Sequence, residues 1–192
     1  MLRDLVIRNR SCRGYDRSRP VTTEELRSMV DLARQAAAGM NVQPMKYYLI
    51  TDPEEAAIVN NLTVLGAHLR ELHLPFPGTE PPAYILICQD HEVHPDDSWF
   101  ITDVGIDAQT ITLAATEMGL AGCMIGNFSD KKLREALGIS DRYTVQLVIA
   151  IGKSAEEIKI VEVDEGADMH YYRKDGVHYV PKRKLDDIII HQ

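Results

Sequence analysis

Apolar positions in the first forty residues recur at the spacing of two helices. Leucine and valine at helical spacing predict a short opening helix near residues 2–6. Thr22, followed by Glu25 three positions later, forms a capping box before a second run of helically spaced apolar residues. We expect this second helix to continue through Ala37 and to end at Gly39.

Four further apolar runs predict strands. Residues 83–88 and 145–151 are continuous apolar runs bounded by polar residues, which is typical of strands buried on both faces of a sheet. Residues 47–51 are rich in aromatic and branched side chains, and residues 121–125 form a shorter run. A central sheet covered on both sides is therefore expected.

Helices are predicted between these strands. Asp52 precedes a proline and caps a helix that continues through Leu62. Apolar residues between 104 and 118 recur in steps of four and three and predict a long helix, while Ser129 caps a shorter one. The prolines within residues 74–82 predict an irregular surface loop.

The last forty residues differ from the rest of the chain. Residues 171–180 predict a hairpin that turns at Asp175-Gly176, and a basic run follows it. This tail has little core of its own. We therefore expect residues 153–192 to form a C-terminal extension that packs on a partner subunit.

Length and composition indicate one globular domain over residues 1–192. The 192 residues are 45% hydrophobic and 26% charged, which are ordinary values for a folded domain. The formal net charge of −8 argues against nucleic-acid binding. No apolar run approaches the roughly 20 residues of a membrane span, and the first ten positions carry several charges. We expect a cytoplasmic protein that binds no membrane.

Motifs for metal or hydrolytic chemistry are weak. The three cysteines lie far apart and outside any C-x-x-C pair, which fits reduced thiols. His91, His94, Asp96 and Asp97 have the short spacing of some metal ligands, but a polar loop is the simpler interpretation. The sequence contains no G-x-S-x-G motif of serine hydrolases, no P-loop of nucleoside triphosphate-binding proteins and no H-E-x-x-H motif of zinc hydrolases. No sequence motif therefore supports these three kinds of chemistry.

Basic residues cluster at two places in this acidic chain. Ser11 lies within the first cluster and supplies a neutral donor, and guanidinium groups can hold a phosphate through two parallel hydrogen bonds. Together the clusters predict an anion site and a phosphorylated cofactor; the alternative is a solvated basic face. The first cluster comprises Arg8, Arg10, Arg13, Arg17 and Arg19, and the second comprises Lys182, Arg183 and Lys184.

Two other stretches have the chemistry to contact a flat heterocycle. Small residues at the end of the second predicted helix let backbone approach a ligand, and the amides of Asn41 and Gln43 both donate and accept hydrogen bonds. Gly126 and Asn127 follow a predicted strand, where backbone N–H groups are free to meet a ligand edge. Taken alone, the first stretch is more often an ordinary helix C-terminus that leads into a strand, and the second stretch is also a weak signal. The small residues are Ala37, Ala38 and Gly39.

Three segments together resemble the flavin-dependent nitroreductase family. They are residues 9–16, with the run Asn-Arg-Ser-Cys-Arg-Gly-Tyr-Asp, residues 33–47 and residues 103–128, in the family's order and spacing. The resemblance covers nearly the whole chain. It implies an α+β fold, a three-layer α/β/α sandwich with a mainly antiparallel central sheet, and an intertwined homodimer with FMN at the interface.

The resemblance also implies roles for the residues singled out above. Arg10, Ser11 and Arg13 would hold the phosphate and ribityl end of FMN, together with one of the basic residues Lys182, Arg183 and Lys184. The partner subunit would supply the small residues and the two amides, namely Ala37, Ala38, Gly39, Asn41 and Gln43. The backbone at Gly126 and Asn127 would face the flavin N5 and carbonyl edge.

Two positions depart from the family's pattern. Asn9 stands where the family commonly has an arginine, with Arg8 beside it. Ala37-Ala38 replaces a frequent Pro-Ser pair, which removes a hydroxyl that often contacts the flavin.

The function implied by the resemblance is an FMN-dependent oxidoreductase. It would accept hydride from NADH or NADPH at flavin N5 and pass electrons to a small planar acceptor, a nitroaromatic or a quinone, by a ping-pong mechanism. The flavin carries such chemistry, so no side chain is expected to act as a catalytic acid or base and no metal is needed. A non-catalytic FMN storage or sensor protein and an interaction protein with an empty pocket are the alternatives.

Overall fold

The computed structural model describes residues 1–96 and 98–191. In this part of the chain the helices are α1 (Leu2–Arg8), α2 (Thr23–Ala33), α3 (Pro53–Leu62), α4 (Ile101–Glu117) and α5 (Asp130–Leu137). The strands are β1 (Tyr15–Asp16), β2 (Met45–Ile50), β3 (Ala83–Asp90), β4 (Ala121–Ile125), β5 (Tyr143–Ser154), β6 (Glu157–Val163), β7 (Tyr172–Lys174) and β8 (Val177–Arg183). Short 3-10 turns span Gly39–Asn41 and Arg70–Leu72.

The central sheet is antiparallel and is built around β3 and β5. β3 pairs with β2 along one edge and with β5 along the other, while β5 also pairs with β4 and with β1. All eight residues of β3 are buried. This confirms the prediction that its continuous apolar run lies in a sheet covered on both faces.

Helices cover both faces of the central sheet, which gives the three-layer sandwich of an α+β fold. Ile85 and Ile87 of β3 pack with α2 and α4 on one face. Tyr84 and Leu86 pack with α3 and α5 on the other. Alternate residues of one strand thus contribute to two separate hydrophobic clusters, as the period of a strand requires.

A second, smaller sheet is formed by the C-terminal strands. β7 and β8 make the predicted antiparallel hairpin, and Asp175 and Gly176 at its turn have φ of 52° and 78°. Positive φ at both central positions is the geometry of the tight turn that Asp-Gly favours. β6, which was not predicted, pairs with β8 in parallel.

The second predicted helix is shorter than expected. α2 ends at Ala33, so Ala37 and Gly39 do not belong to it. Both carboxylate oxygens of Asp103 in α4 accept a hydrogen bond from the Gly39 backbone N–H, at 3.0 and 3.1 Å. This bond satisfies the Gly39 N–H outside α2 and joins the segment after α2 to α4. No helix among the described residues is both long and apolar enough to cross a bilayer.

Candidate functional site

The first basic cluster and the C-terminal sheet meet at a cavity of about 330 Å³. Its walls come from the loop after α1, from α4, from β4 and from the β7–β8 hairpin. The lining residues are Asn9, Arg10, Ser11, Arg13, Gln109, Thr112, Gly122, Met124, Tyr171, His178, Val180 and Lys182. The structure therefore brings together four of the residues that the sequence predicts at a phosphate: Arg10, Ser11, Arg13 and Lys182.

Two arginines give the cavity its positive charge. Arg10 donates from Nη2 to the Val6 carbonyl at 2.7 Å, and burial lowers the pKa of its guanidinium, which is still charged. Arg13 is 8% exposed. The Nε atoms of both arginines are buried and have no hydrogen-bond partner among the described residues. Two buried cationic donors without acceptors favour an anion in this cavity.

The contacts of the Arg13 guanidinium are with neutral groups. Nη1 donates to the Ser11 carbonyl at 3.3 Å and lies 3.1 Å from Nε2 of His178. The guanidinium carbon lies 4.3 Å from the centre of the Tyr171 ring, which is a cation–π arrangement. Within residues 1–96 and 98–191, the one carboxylate bonded to Arg13 is that of Glu156, which accepts the backbone N–H at 2.7 Å. The positive charge is therefore oriented without being neutralised by a carboxylate bond.

The loop that carries these arginines is tied to α4 and β4. The amide of Asn9 donates to the Thr112 hydroxyl at 2.9 Å, so Asn9, which replaces a frequent arginine, joins the loop to α4. The backbone N–H of Cys12 donates to the carbonyl of Gly122 at 3.1 Å. A Cβ at Gly122 would lie 2.8 Å from Cγ2 of Thr112, so glycine lets β4 approach α4 closely.

The C-terminal basic run contributes one residue to the cavity. Lys182 lines it, whereas Arg183 and Lys184 lie outside, and Lys184 forms an ion pair with Asp164. Along β8, His178, Val180 and Lys182 all line the cavity. Alternate residues of a strand share a face, so the register of β8 decides which basic residue points to the anion site.

Within a single chain, the small residues and the two amides predicted at the cofactor do not line this cavity. Gln43 donates to the side-chain oxygen of Asn41 at 3.1 Å, so the two amides bond to each other. Ala38 and Gln43 line a second cavity of about 160 Å³, next to Asp103 and Asp107. Ala37 and Gly39 are exposed. Their predicted contact with the cofactor of the other subunit stays a prediction.

The second cavity contains a buried carboxyl group on α4. Asp107 accepts a hydrogen bond from the Tyr47 hydroxyl at 2.8 Å, and burial raises the pKa of Asp107. Burial and this carboxylate also raise the pKa of Tyr47. The pair links β2 to α4 beneath the loop that contains the small residues.

Gly126 and Asn127 follow β4 at the surface. Both are exposed, and the carbonyl of Asn127 accepts a hydrogen bond from the Val64 N–H at 3.0 Å. Neither lines the cavity, although Met124 of the same strand does. Their predicted position at a ligand edge stays a prediction.

The thiols and the histidine loop do not add reactive groups. All three cysteines are free and buried, and burial raises the pKa of Cys12 to about 12 and of Cys123 to about 11. Protonated buried thiols are poor nucleophiles. Asp97, one of the four residues considered as metal ligands, lies outside the described residues. Within the described ranges, no group of three or more His, Cys, Asp or Glu side chains is arranged to hold a metal ion.

Sequence reasoning missed several lining residues. Gln109 and Thr112 lie three positions apart on α4, and Tyr171 and His178 come from the hairpin. The hairpin was expected to lack partners in its own chain, but His178 is 1% exposed and lies against Arg13. Alternate residues of a strand share a face, so counting back from Lys182 in steps of two would have identified His178.

A model described as the nitroreductase family matches residues 7–153. An Archaeoglobus fulgidus protein named "Putative NADH dehydrogenase/NAD(P)H nitroreductase" is 26% identical over 167 residues, covering 84% of this chain and 90% of the relative.

Solved structures agree with this match. An FMN-dependent nitroreductase from Clostridium difficile R20291 has a TM-score of 0.64 and 27% identity, over 80% of this chain and 87% of that chain. A nitroreductase family protein from Streptococcus pneumoniae TIGR4 has a TM-score of 0.73 over the full length of both chains at 16% identity, and supports the fold alone. With its matched segment, three-layer fold and cationic cavity, this chain belongs to the nitroreductase family.

Proposed function

We propose that the protein is an FMN-dependent oxidoreductase that uses NADH or NADPH to reduce a small planar acceptor, such as a nitroaromatic or a quinone. The observation that carries the proposal is the cavity in which Arg10 and Arg13 have buried Nε donors without hydrogen-bond partners among the described residues. Membership of the nitroreductase family supports it. So do relatives named as an NAD(P)H nitroreductase and as an FMN-dependent nitroreductase.

The residues present fit the phosphate of FMN. A phosphate dianion accepts several hydrogen bonds, and the unpartnered Nε groups of Arg10 and Arg13 are the donors that such an anion requires. Ser11 adds a hydroxyl and Lys182 an ammonium group at the same cavity. Because the guanidinium of Arg13 has neutral neighbours, its charge is available to the ligand.

The protein's own residues bind and orient the cofactor. When bound, FMN supplies the chemistry, hydride acceptance at N5 and electron transfer to the acceptor, so no side chain need act as acid or base. We assign the phosphate and ribityl end to Arg10, Ser11, Arg13 and Lys182.

The ring end of the site requires residues from elsewhere. We assign the ring edge to the backbone of Gly126 and Asn127 and to five residues of the other subunit in a homodimer. Those five are Ala37, Ala38, Gly39, Asn41 and Gln43. Exposure of this loop in the single chain leaves it available to a second copy.

Spectroscopy and rapid mixing test the proposal. The purified protein should bind about one FMN per chain after reconstitution, with quenching of flavin fluorescence. Anaerobic mixing with NADH or NADPH should bleach the flavin absorbance, and adding a quinone or a nitroaromatic should restore it. Failure to bind FMN would overturn the proposal. A flavin that dithionite reduces but neither nicotinamide nucleotide does would instead support the storage or sensor function.

A further inference from the structure

Arg13 is held by two side chains of the C-terminal extension. Tyr171 lies under its guanidinium, 4.3 Å from the guanidinium carbon to the ring centre, and Nε2 of His178 lies 3.1 Å from Nη1. The rings of Tyr171 and His178 also contact each other, with centroids 5.3 Å apart. We call Tyr171 and His178 the tail clamp.

The contact between Arg13 and His178 determines the position of the imidazole proton. A guanidinium has donors only, so Nε2 of His178 must be the acceptor and the ring proton must be on Nδ1. That Nδ1 is buried and has no partner among the described residues. Burial, together with the positive charges of Arg13 and Arg173, lowers the pKa of His178 to about 4, against the opposing effect of Glu156. His178 is therefore neutral at neutral pH and able to accept.

Contacts other than those with the Arg13 guanidinium also hold the tail clamp in place. Arg173 and His178 are direct partners in the β7–β8 hairpin, and Arg173 forms an ion pair with Glu156. Glu156 in turn accepts the backbone N–H of Arg13. The hydroxyl of Tyr171 accepts a hydrogen bond from the His68 N–H at 3.3 Å, which links the clamp to the loop after α3. The hairpin is thus held at Tyr171 and at Arg173.

We infer that the tail clamp positions Arg13 for the cofactor, so that docking of the hairpin on its own chain creates the competent anion site. This inference rests on the proposed function. Tyr171 stabilises the guanidinium through the cation–π contact with its ring, and His178 fixes the position of Nη1 by accepting its hydrogen bond. Both residues also line the cavity. We assign them as positioning residues because each contacts the Arg13 guanidinium. Without them, the long Arg13 side chain would populate several rotamers, which would weaken binding.

The test is a double-mutant cycle measured by FMN affinity. His178→Phe keeps a ring of similar size but removes the acceptor, and it should weaken FMN by about tenfold. His178→Gln restores an acceptor oxygen and should bind within about threefold of wild type. In an Arg13→Ala background, His178→Phe should cause no further loss, since the clamp acts only through that arginine. Tyr171→Leu should also weaken FMN binding on its own and cause no further loss in the Arg13→Ala background. It replaces His178→Phe in the cycle if that variant does not fold.

Tyr172→Leu is the matched control. Tyr172 lies in the same hairpin and stacks on Tyr179 at 5.1 Å, away from Arg13, so FMN affinity should stay within about twofold. Fluorescence titration with free FMN gives every dissociation constant, and circular dichroism confirms folding. Additive losses of Arg13→Ala and His178→Phe, or full affinity in His178→Phe and Tyr171→Leu, would overturn the clamp alone. A wild-type protein that binds no FMN would overturn the proposed function as well.

Discussion

A positive charge buried without a carboxylate partner is the most informative feature at the scale of single residues. Arg13 is 8% exposed, and the bonds of its guanidinium go to a carbonyl, an imidazole and an aromatic face. Such an arrangement costs folding free energy, because a buried charge is stable only when it is compensated. The proposed FMN phosphate would provide the compensation.

Replacing this arginine tests the anion site directly. Arg13→Ala removes a charged hydrogen-bond donor of about 1.5–3 kcal/mol and should weaken FMN by roughly tenfold to a hundredfold. Fluorescence titration measures the change. Arg17→Ala is the control, because Arg17 forms an exposed ion pair with Glu80 and does not line the cavity. Unchanged affinity in Arg13→Ala would place the phosphate elsewhere.

His178 makes the stability of the protein depend on pH. Its pKa is lowered from 6.5 to about 4 in the fold, so the unfolded chain takes up a proton at higher pH than the folded chain does. Its contribution is therefore complete above pH 6.5. It is lost as the pH falls towards 4, by up to about 3 kcal/mol. Urea unfolding of wild type and His178→Gln between pH 7 and 4 measures this, and parallel pH profiles would contradict it.

At the scale of elements, the C-terminal extension divides into two parts. Strands β6, β7 and β8 form a sheet in which Val177 and His178 are both buried on the same chain. The segment after Lys184 is different, because its apolar side chains Leu185, Ile188, Ile189 and Ile190 are exposed. Contiguous exposed apolar side chains mark a surface that another protein covers. The second part is the one that we expect to pack on a partner subunit.

Truncation separates these parts. Deleting the chain after Lys184 should leave β8 intact but convert the expected homodimer into a monomer, because the exposed apolar segment is lost. Light scattering should give a mass of about twice 21.6 kDa for the full chain and about half that value after truncation. A full-length protein that is a monodisperse monomer would contradict the prediction, as would a truncated protein that still dimerises.

At the scale of the whole molecule, charge is distributed unevenly. The chain has a formal net charge of −8, yet two arginines and a lysine line one cavity. The surface as a whole repels anions, so the proposed recognition of a phosphorylated cofactor would depend on this local site.

One site for both substrates predicts ping-pong kinetics. The sequence has no G-x-G-x-x-G after a strand to give a nicotinamide dinucleotide its own binding site, so donor and acceptor should use the same space in turn. Initial rates measured over a grid of donor and acceptor concentrations should give parallel double-reciprocal lines. Intersecting lines would indicate a ternary complex and would contradict a shared space.

The sequence by itself determined the elements whose signals are local. The apolar runs of β3 and β5, the spacing of α4 and the Asp-Gly turn each act over a few neighbouring residues, and the structure contains all four. The same holds for the chemistry of the first loop, because Arg10, Ser11 and Arg13 lie within four positions and reach the cavity together. Burial of apolar side chains and turn geometry are sufficient for such features.

The tertiary structure decided what depends on distant partners. α2 ends early and Gly39 lies in a loop, where Asp103, 64 positions later, accepts the Gly39 N–H. Lys182, and not Arg183 or Lys184, lines the cavity because pairing with β6 and β7 sets which face of β8 turns towards it. His178 joins Arg13 across 165 positions. Buried polar groups require hydrogen-bond partners, and in these cases the partners are distant in the sequence. No local pattern in the chain shows which distant residue will be the partner.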